Sequence, residues 1–405
     1  MPGFAHHLWR LLPRGPRRRA AFAVAATLAP RPAPDPLRPA TGIIVAGHLR
    51  QATGLAEATR VLRAALARTG LPVWSVDLDA PVLPPSLPPA APLLIHVNPP
   101  LLPLALRALP AGVVGQRMVI GYWAWELTKP SPLWRRGTGF VHRAWTLSQF
   151  SADGLAPLGV PVRAVPLPLA MVPPRPSPLR RADFGLPEDA VVTLVSLNLA
   201  SSHARKNPEA AIAAHREAFG ERPDRILLLK ITNPDHFRRD MAVLAAKADG
   251  PNIRVMTETL STPDTHALTL ACDMVMSLHR SEGFGLVPAE AMLLGRPVIA
   301  TGWSGNLEFM DAESAALVGY KLVPAIDPRG VYEAPGAVWA EADVREAAQH
   351  LRRLADDPAA RAELAARGQA HAVACLGPAK LRAALDEIGL ATPADRPTAP
   401  PAGRA

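Results

Sequence analysis

Two carboxylates and two cations are the residues of this chain whose types and spacing suggest chemistry. Glu282 and Glu290 stand eight positions apart in His279–Ala300, HRSEGFGLVPAEAMLLGRPVIA, with Gly283, Phe284 and Gly285 between them. The pattern predicts a loop after a strand and then a helix that begins at Pro288 and ends at Gly295, since proline suits the first helical position and glycine the end. Glycines let a backbone approach a ligand, and free N–H groups at a helix start favour phosphate. Glu290, in the expected first turn, can serve the helix dipole, worth about 0.3–1 kcal/mol. It can equally accept a pair of ribose hydroxyls, as carboxylates do in dinucleotide folds. Glu282 would then face the other end of the same ligand.

A second loop tips the balance toward a ligand. NLASSHARKNPEAAIAAHREAF, Asn198–Phe219, runs from a strand into a helix that Pro208 starts and Asn207 caps. Arg205 and Lys206 fall at the positive end of that helix, where cations are mildly unfavourable. A bound diphosphate turns the cost into a gain, with bidentate contacts from arginine and a point charge from lysine. Two further loops lie in the first half. In His48–Arg60, HLRQATGLAEATR, Gly54 opens a helix after a strand, without a dinucleotide glycine fingerprint or a Walker motif. In Gly121–Trp134, GYWAWELTKPSPLW, three of the eight tryptophans surround Glu126. That segment reads as a packed aromatic cluster, in which a carboxylate is costly unless it is hydrogen bonded or faces a ligand.

The elements that must position these loops alternate regularly. IIVAG (Ile43–Gly47), PVWSVDL, PLLIHVN, RMVIGYW, WTLS and VRAVPLP read as buried strands, with an amphipathic helix over Leu55–Arg68. After a proline-rich connector the rhythm restarts with VVTLVSL, ILLLKI, NIRVM, CDMVMSL, PVIA and AALV. Helical spacing recurs at Pro208–Phe219, Asp235–Ala248, Pro263–Ala271, Glu341–Asp356 and Ala359–Cys375. Strands alternating with helices imply parallel sheets covered on both faces. The expected fold is therefore α/β, with two doubly wound Rossmann-like domains facing each other across a cleft. The boundaries are a basic Pro-rich tail at 1–40, a first domain at 41–172, a linker at 173–180, a second domain at 181–375, and a C-terminal helix with a Pro-rich tail at 376–405. Ligands bind such sheets where strands end and helices begin.

Composition narrows the classes. The chain of 405 residues is 49% apolar and 20% charged, a globular balance long enough for two or three domains. Its net charge is +9, but residues 1–40 alone carry seven arginines and one aspartate. The nearly neutral body and 5% aromatic content argue against nucleic acid as a partner. Cys272 and Cys375, a hundred residues apart, read as reduced thiols, and neither they nor an HExxH pattern supplies a metal site. No apolar run reaches the ~18 residues that span a bilayer. The basic Arg17–Arg19 followed by AAFAVAATLA, Ala20–Ala29, admits three readings: a disordered or loosely helical tail, a membrane-surface contact through Arg17–Arg19 and Phe22, or a secretory signal.

SEGFGLVPAEAM with its two glutamates, followed by GRPVIATGWSGN, resembles the signature of the retaining glycosyltransferases of family 4, which have the GT-B fold. RKNP, Arg205–Pro208, matches that family's earlier loop, and GYWAWEL and WTLSQF are similar to a bacterial subgroup tied to surface polysaccharide assembly. The resemblance covers roughly Thr41 to Cys375. It implies that Arg205 and Lys206 hold the diphosphate of a nucleotide-sugar donor and that Glu290 binds its ribose. Glu282 would contact the donor sugar, and the backbone at Gly283, Phe284, Gly285 and Leu286 would line sugar and phosphates. Gly54 would lie across the cleft near the donor. His96 and Glu126 are both candidates to face the reacting carbon from the first domain.

The function implied is transfer of a sugar to a hydroxyl of a saccharide or lipid-linked saccharide with retention of anomeric configuration. No cofactor or metal is expected, because fixed positive charge would stabilise the departing diphosphate. The protein is expected in the cytoplasm, with the inner face of the cytoplasmic membrane as a peripheral contact. A nucleotide-sugar epimerase of the same architecture, and a non-catalytic nucleotide-sugar-binding protein, are the alternatives; a dehydrogenase is disfavoured by the missing glycine fingerprint.

Overall fold

The computed structural model describes residues 23–390, apart from 52, 83–85, 111 and 333, together with 392. Arg17–Arg19 and Phe22 lie outside the described residues. Beyond the tail's apolar stretch, the chain folds back onto the first domain. There the Leu37 N–H donates to the Gln116 carbonyl at 2.8 Å, and His142 Nε2 meets the Ala33 carbonyl oxygen at 2.8 Å.

Two parallel six-stranded sheets organise the chain. The first has the order β2-β1-β3-β4-β5-β6, from Ile43–Gly47 (β1), Val73–Asp77 (β2), Leu93–Ile95 (β3), Val119–Trp123 (β4), Arg143–Thr146 (β5) and Val162–Ala164 (β6). The second has the order β12-β11-β10-β7-β8-β9, from Val191–Asn198 (β7), Arg225–Thr232 (β8), Ile253–Met256 (β9), Met274–Ser277 (β10), Val298–Thr301 (β11) and Ala316–Val318 (β12). Strands such as IIVAG and VIGYW are buried at every position, as strands covered on both faces must be.

The covering helices follow from apolar spacing. Gly54–Arg68 (α1) buries Ala58, Leu62, Ala65 and Leu66 on one side, and the Thr53 hydroxyl caps its first turn. Each fully buried leucine there contributes about 1.5–3 kcal/mol relative to exposure. The helices that matter for the site are Gln149–Leu155 (α2), Pro208–Phe219 (α3), Thr262–Ala271 (α4) and Leu286–Leu293 (α5).

In each sheet the strand order reverses once. The reversal falls between β1 and β3 in the first sheet and between β7 and β10 in the second. Loops leaving the carboxyl ends of those strands border the crevice in which such folds bind ligands.

Two features depart from expectation, and a third, the C-terminal helix, is where it was expected. α5 begins at Leu286, two residues before Pro288, because Gly285 takes a left-handed conformation (φ 92°) that ends the loop earlier. Glu290 is thereby in the second turn. An antiparallel hairpin, Tyr320–Pro324 (β13) with Val338–Ala342 (β14), comes after the second sheet, so Glu341 is in a strand and the next helix starts at Val344. Beyond Cys375 a final helix, Ala379–Glu387 (α6), returns to the first domain. Its Glu387 pairs with Arg143 at 2.6 Å and also with Arg163, while Leu381, Leu385 and Ile388 are buried. Where the chain recrosses, the Ala170 N–H donates to the Leu376 carbonyl at 3.0 Å.

Candidate functional site

The loop after β7 builds a compact cationic turn. Ser202 is buried with φ 67°, and its hydroxyl accepts from the Arg205 N–H at 3.3 Å while donating to Asp327 at 3.0 Å. His203–Lys206 forms one helical turn, and Asn207, left-handed at φ 51°, redirects the chain into α3. Arg205 and Lys206 therefore sit on a turn of their own, ahead of α3. Arg205 is buried, yet its guanidinium donates to the Ser281 carbonyl at 2.6 Å, pairs with Glu282 at 3.2 Å and approaches Glu126 to 3.7 Å. The Tyr332 ring lies 5.3 Å from the guanidinium carbon.

The loop after β10 brings the anion. The Glu282 N–H donates to Ser304 Oγ at 2.9 Å, and the Glu282 carbonyl accepts from Gly305 N–H at 2.9 Å. Only glycine fits at 305, where a Cβ would stand 2.3 Å from the Gly283 carbonyl oxygen. Lys206 Nζ is ion-paired with the Glu282 carboxylate. Burial alone would raise the Glu282 pKa, but the charges of Lys206 and Arg205 outweigh it and hold it down to about 2. Behind the loop, His279 Nε2 meets Asn306 Oδ1 at 3.1 Å. Burial keeps that imidazole below its usual range.

The first domain meets this cluster directly. The Ser281 hydroxyl donates to the Glu126 carbonyl, and the Ser151 hydroxyl donates to the Trp125 carbonyl at 2.5 Å and approaches the Gly283 carbonyl at 3.3 Å. A Cβ on Gly283 would lie 2.9 Å from the Trp125 carbonyl oxygen, so glycine sets how closely the two domains meet. Burial raises the pKa of Glu126, with Arg205 opposing and Glu282 reinforcing the rise. Two carboxylates flanking one guanidinium are thus pushed in opposite directions, an arrangement suited to dividing charge and proton handling.

The other expected residues are placed apart from this cluster. Glu290 lies 3.5 Å from His266, in a separate recess of about 390 Å³ whose far wall is Glu57, Arg60 and Val61 of α1. Burial raises the Glu290 carboxyl, and His266 opposes the rise. His96 is buried, with Nδ1 at 2.9 Å from the Thr59 hydroxyl and the ring edge-on to Tyr122. Among the described residues no hydrogen bond or ion pair joins His96 to Glu126, Arg205 or Glu282. Gly54 starts α1 in open space, where an added Cβ would touch nothing. The Phe284 side chain packs in the core against Phe309, with ring centroids 5.0 Å apart, leaving only its backbone beside the loop.

Three residues that contact the cluster or its loops carry little signal in the sequence. Ser304 and Asn306 stand in the quoted GWSGN, where a glycine flanked by polar residues after a strand was the available signal. Tyr332 gave none, since it reaches Arg205 only through the unexpected hairpin.

Residues 164–382 match the family model described as "Family 4 Glycosyltransferase in conflict systems". Among solved structures, HepE of Anabaena, determined in complex with UDP and glucose, shares 16% identity at a TM-score of 0.58, covering 86% of this chain and 99% of that one. Sucrose-phosphate synthase from Thermosynechococcus elongatus gives 16% and 0.61, over 86% and 98%. WaaG, a glycosyltransferase involved in lipopolysaccharide biosynthesis, gives 15% and 0.51, over 86% and 100%. These identities carry the fold alone, which is GT-B. No curated protein matches the chain in sequence.

Proposed function

Because the chain belongs to the family 4 glycosyltransferases of conflict systems, a match spanning more than half its length, we propose that it transfers a sugar from a nucleotide-diphosphate donor to a hydroxyl acceptor with retention. Residues 41–172 form the acceptor side and 181–375 the donor side. The observation that carries this reading is the cluster of buried Arg205 and Glu282 with half-buried Lys206, at the ends of adjacent strands β7 and β10, facing Glu126 across the domain boundary.

In the proposed reaction Arg205 and Lys206 take the diphosphate. Lys206 leaves Glu282 to do so, which frees that carboxylate to accept donor-sugar hydroxyls. Glu290, in the recess beyond, accepts the ribose hydroxyls. The acceptor oxygen forms the new bond to the anomeric carbon as the bond from that carbon to the diphosphate oxygen breaks. The hydroxyl proton passes to the departing oxygen on the same face, and Glu126 borders that space. Two cations in a water-poor site supply charge stabilisation without a divalent metal. The acceptor class is a saccharide or lipid-linked saccharide, and the role is surface polysaccharide or glycolipid assembly at the cytoplasmic side. Among the described residues, no helix is long and apolar enough to cross a membrane.

A thermal-shift panel of UDP-, GDP- and ADP-sugars identifies the donor, since a ligand of the folded state raises its stability. With that donor, Lys206→Ala and Glu290→Gln are each expected to lower turnover, Lys206→Ala by about 100- to 1000-fold, and EDTA to leave it unchanged. Unaltered turnover in both variants overturns the site, and a strict metal requirement overturns the charge-based scheme. Interconversion of the donor sugar without transfer would mark an epimerase instead.

A further inference from the structure

Beside Glu126 lies a cavity of about 390 Å³ at the junction of the two domains. Its walls divide into a polar part, with Glu126, Ser131, Ser201 and Tyr332, and a larger apolar part. Among the described lining residues Glu126 is the one charged side chain. The amide of Asn98 is already engaged, donating to the Ala124 carbonyl at 3.0 Å and accepting from the Ala124 N–H at 2.9 Å. The Trp125 indole donates to the Lys129 carbonyl at 2.9 Å. Nor are open ring faces on offer for stacking a sugar. Trp125 and Trp134 are buried against each other with centroids 4.6 Å apart, and Tyr332 covers Trp125 at 5.9 Å.

The rim is aliphatic and uncovered. Leu55 from α1, Leu101 before the helix Leu102–Ala108, and Val331 from the hairpin connection line the cavity while remaining 40, 49 and 45% exposed. Leu104, 51% exposed, continues the apolar surface outward on the same helix. Large apolar side chains left in water around a cavity mark a surface that another apolar group covers.

We propose that this cavity holds the aliphatic chain of a lipid-linked acceptor, delivering the hydroxyl beside it toward Glu126. The inference rests on the glycosyltransferase reading for the identity of the hydroxyl, and on the walls of the cavity for the chain. An acceptor of this kind buries methylenes against Leu55, Leu101 and Val331 and asks no hydrogen bond of them.

The test compares methyl and hexyl β-glycosides, kept below the concentration at which the hexyl compound aggregates. Equilibrium binding to the full chain is followed by tryptophan fluorescence. Each buried methylene is expected to tighten binding about fourfold, so burying even about two of the added methylenes should make the hexyl glycoside bind at least about tenfold more tightly than the methyl one. Leu101→Asp and Val331→Asp, exposed substitutions on opposite walls, should each abolish that preference while donor hydrolysis stays at its wild-type rate. Equal binding of the two glycosides overturns the proposal, as does a hexyl preference that survives both substitutions. Absence of turnover with every nucleotide sugar would instead overturn the glycosyltransferase reading, because the methyl–hexyl comparison is made at equilibrium and needs no transfer.

Discussion

Glu126 and Glu282 share one guanidinium, yet their folded states treat protons oppositely. Glu282 is held at about 2 by Lys206 and Arg205 against the cost of burial, whereas burial dominates at Glu126 and lifts it. A carboxyl whose folded pKa is raised contributes stability below its unfolded value and loses that contribution as pH rises through the folded one. Glu126→Gln is therefore expected to raise the melting temperature at neutral pH while lowering transfer, measured by calorimetry beside an activity assay. A melting temperature that falls would show that the carboxylate gains more from Arg205 than burial costs it. His96 has the reverse sign. Its folded pKa, pushed down from 6.5 to about 3 by burial and then by the charge of His48, means that stability is full above 6.5 and drains away as pH drops toward 3. His96→Gln should flatten that loss by about 1.4 kcal/mol per pH unit, read from denaturant midpoints across the window. An unchanged slope would remove His96 from the acid limb.

At the scale of elements, the site depends on how tightly two loops nest. Gly305→Ala would drive a Cβ to within 2.3 Å of the Gly283 carbonyl oxygen and 2.8 Å of that of Glu282. Displacing that loop should cost about 1–3 kcal/mol of stability and most of the transfer activity, with the donor-induced thermal shift reduced in parallel. A variant that keeps a full donor shift would separate the loop from donor binding. The same elements mark what a sequence discloses. The twelve strands of the two sheets were readable because runs such as IIVAG are buried on both faces and bounded by loops. Arg205, Lys206 and Glu282 were readable because each lies just past a strand end with loop residues beside it. The hairpin was not, because β13 is mostly exposed and lacks an apolar run. Tyr332 is hidden with it, and Pro288 is a poorer marker of the first turn of α5 than Gly285, whose left-handed backbone ends the loop.

For the molecule as a whole, one contact between the two domains is backbone on backbone. Trp125 and Gly283 meet with room for a hydrogen and no more, and Ser151 bridges them. Gly283→Ala should wedge the domains apart and leave each sheet intact. Small-angle scattering is expected to show a larger radius of gyration, and transfer should fall more than donor binding, because the residues proposed to hold the diphosphate, Arg205 and Lys206, share one turn of the second domain. An unchanged radius with lost activity would place the damage inside the loop and not between the domains.

The two crossings between the domains are stitched together where the Ala170 N–H meets the Leu376 carbonyl, and the last helix is then pinned to β5 and β6 through Glu387. A polypeptide that crosses once could twist, slide or separate. One that crosses twice at the same place behaves as a bound spine, about which the halves can swing but not shear. Any opening that admits substrates is thereby confined to one arc, with the greatest travel at the rim farthest from Ala170 and Leu376.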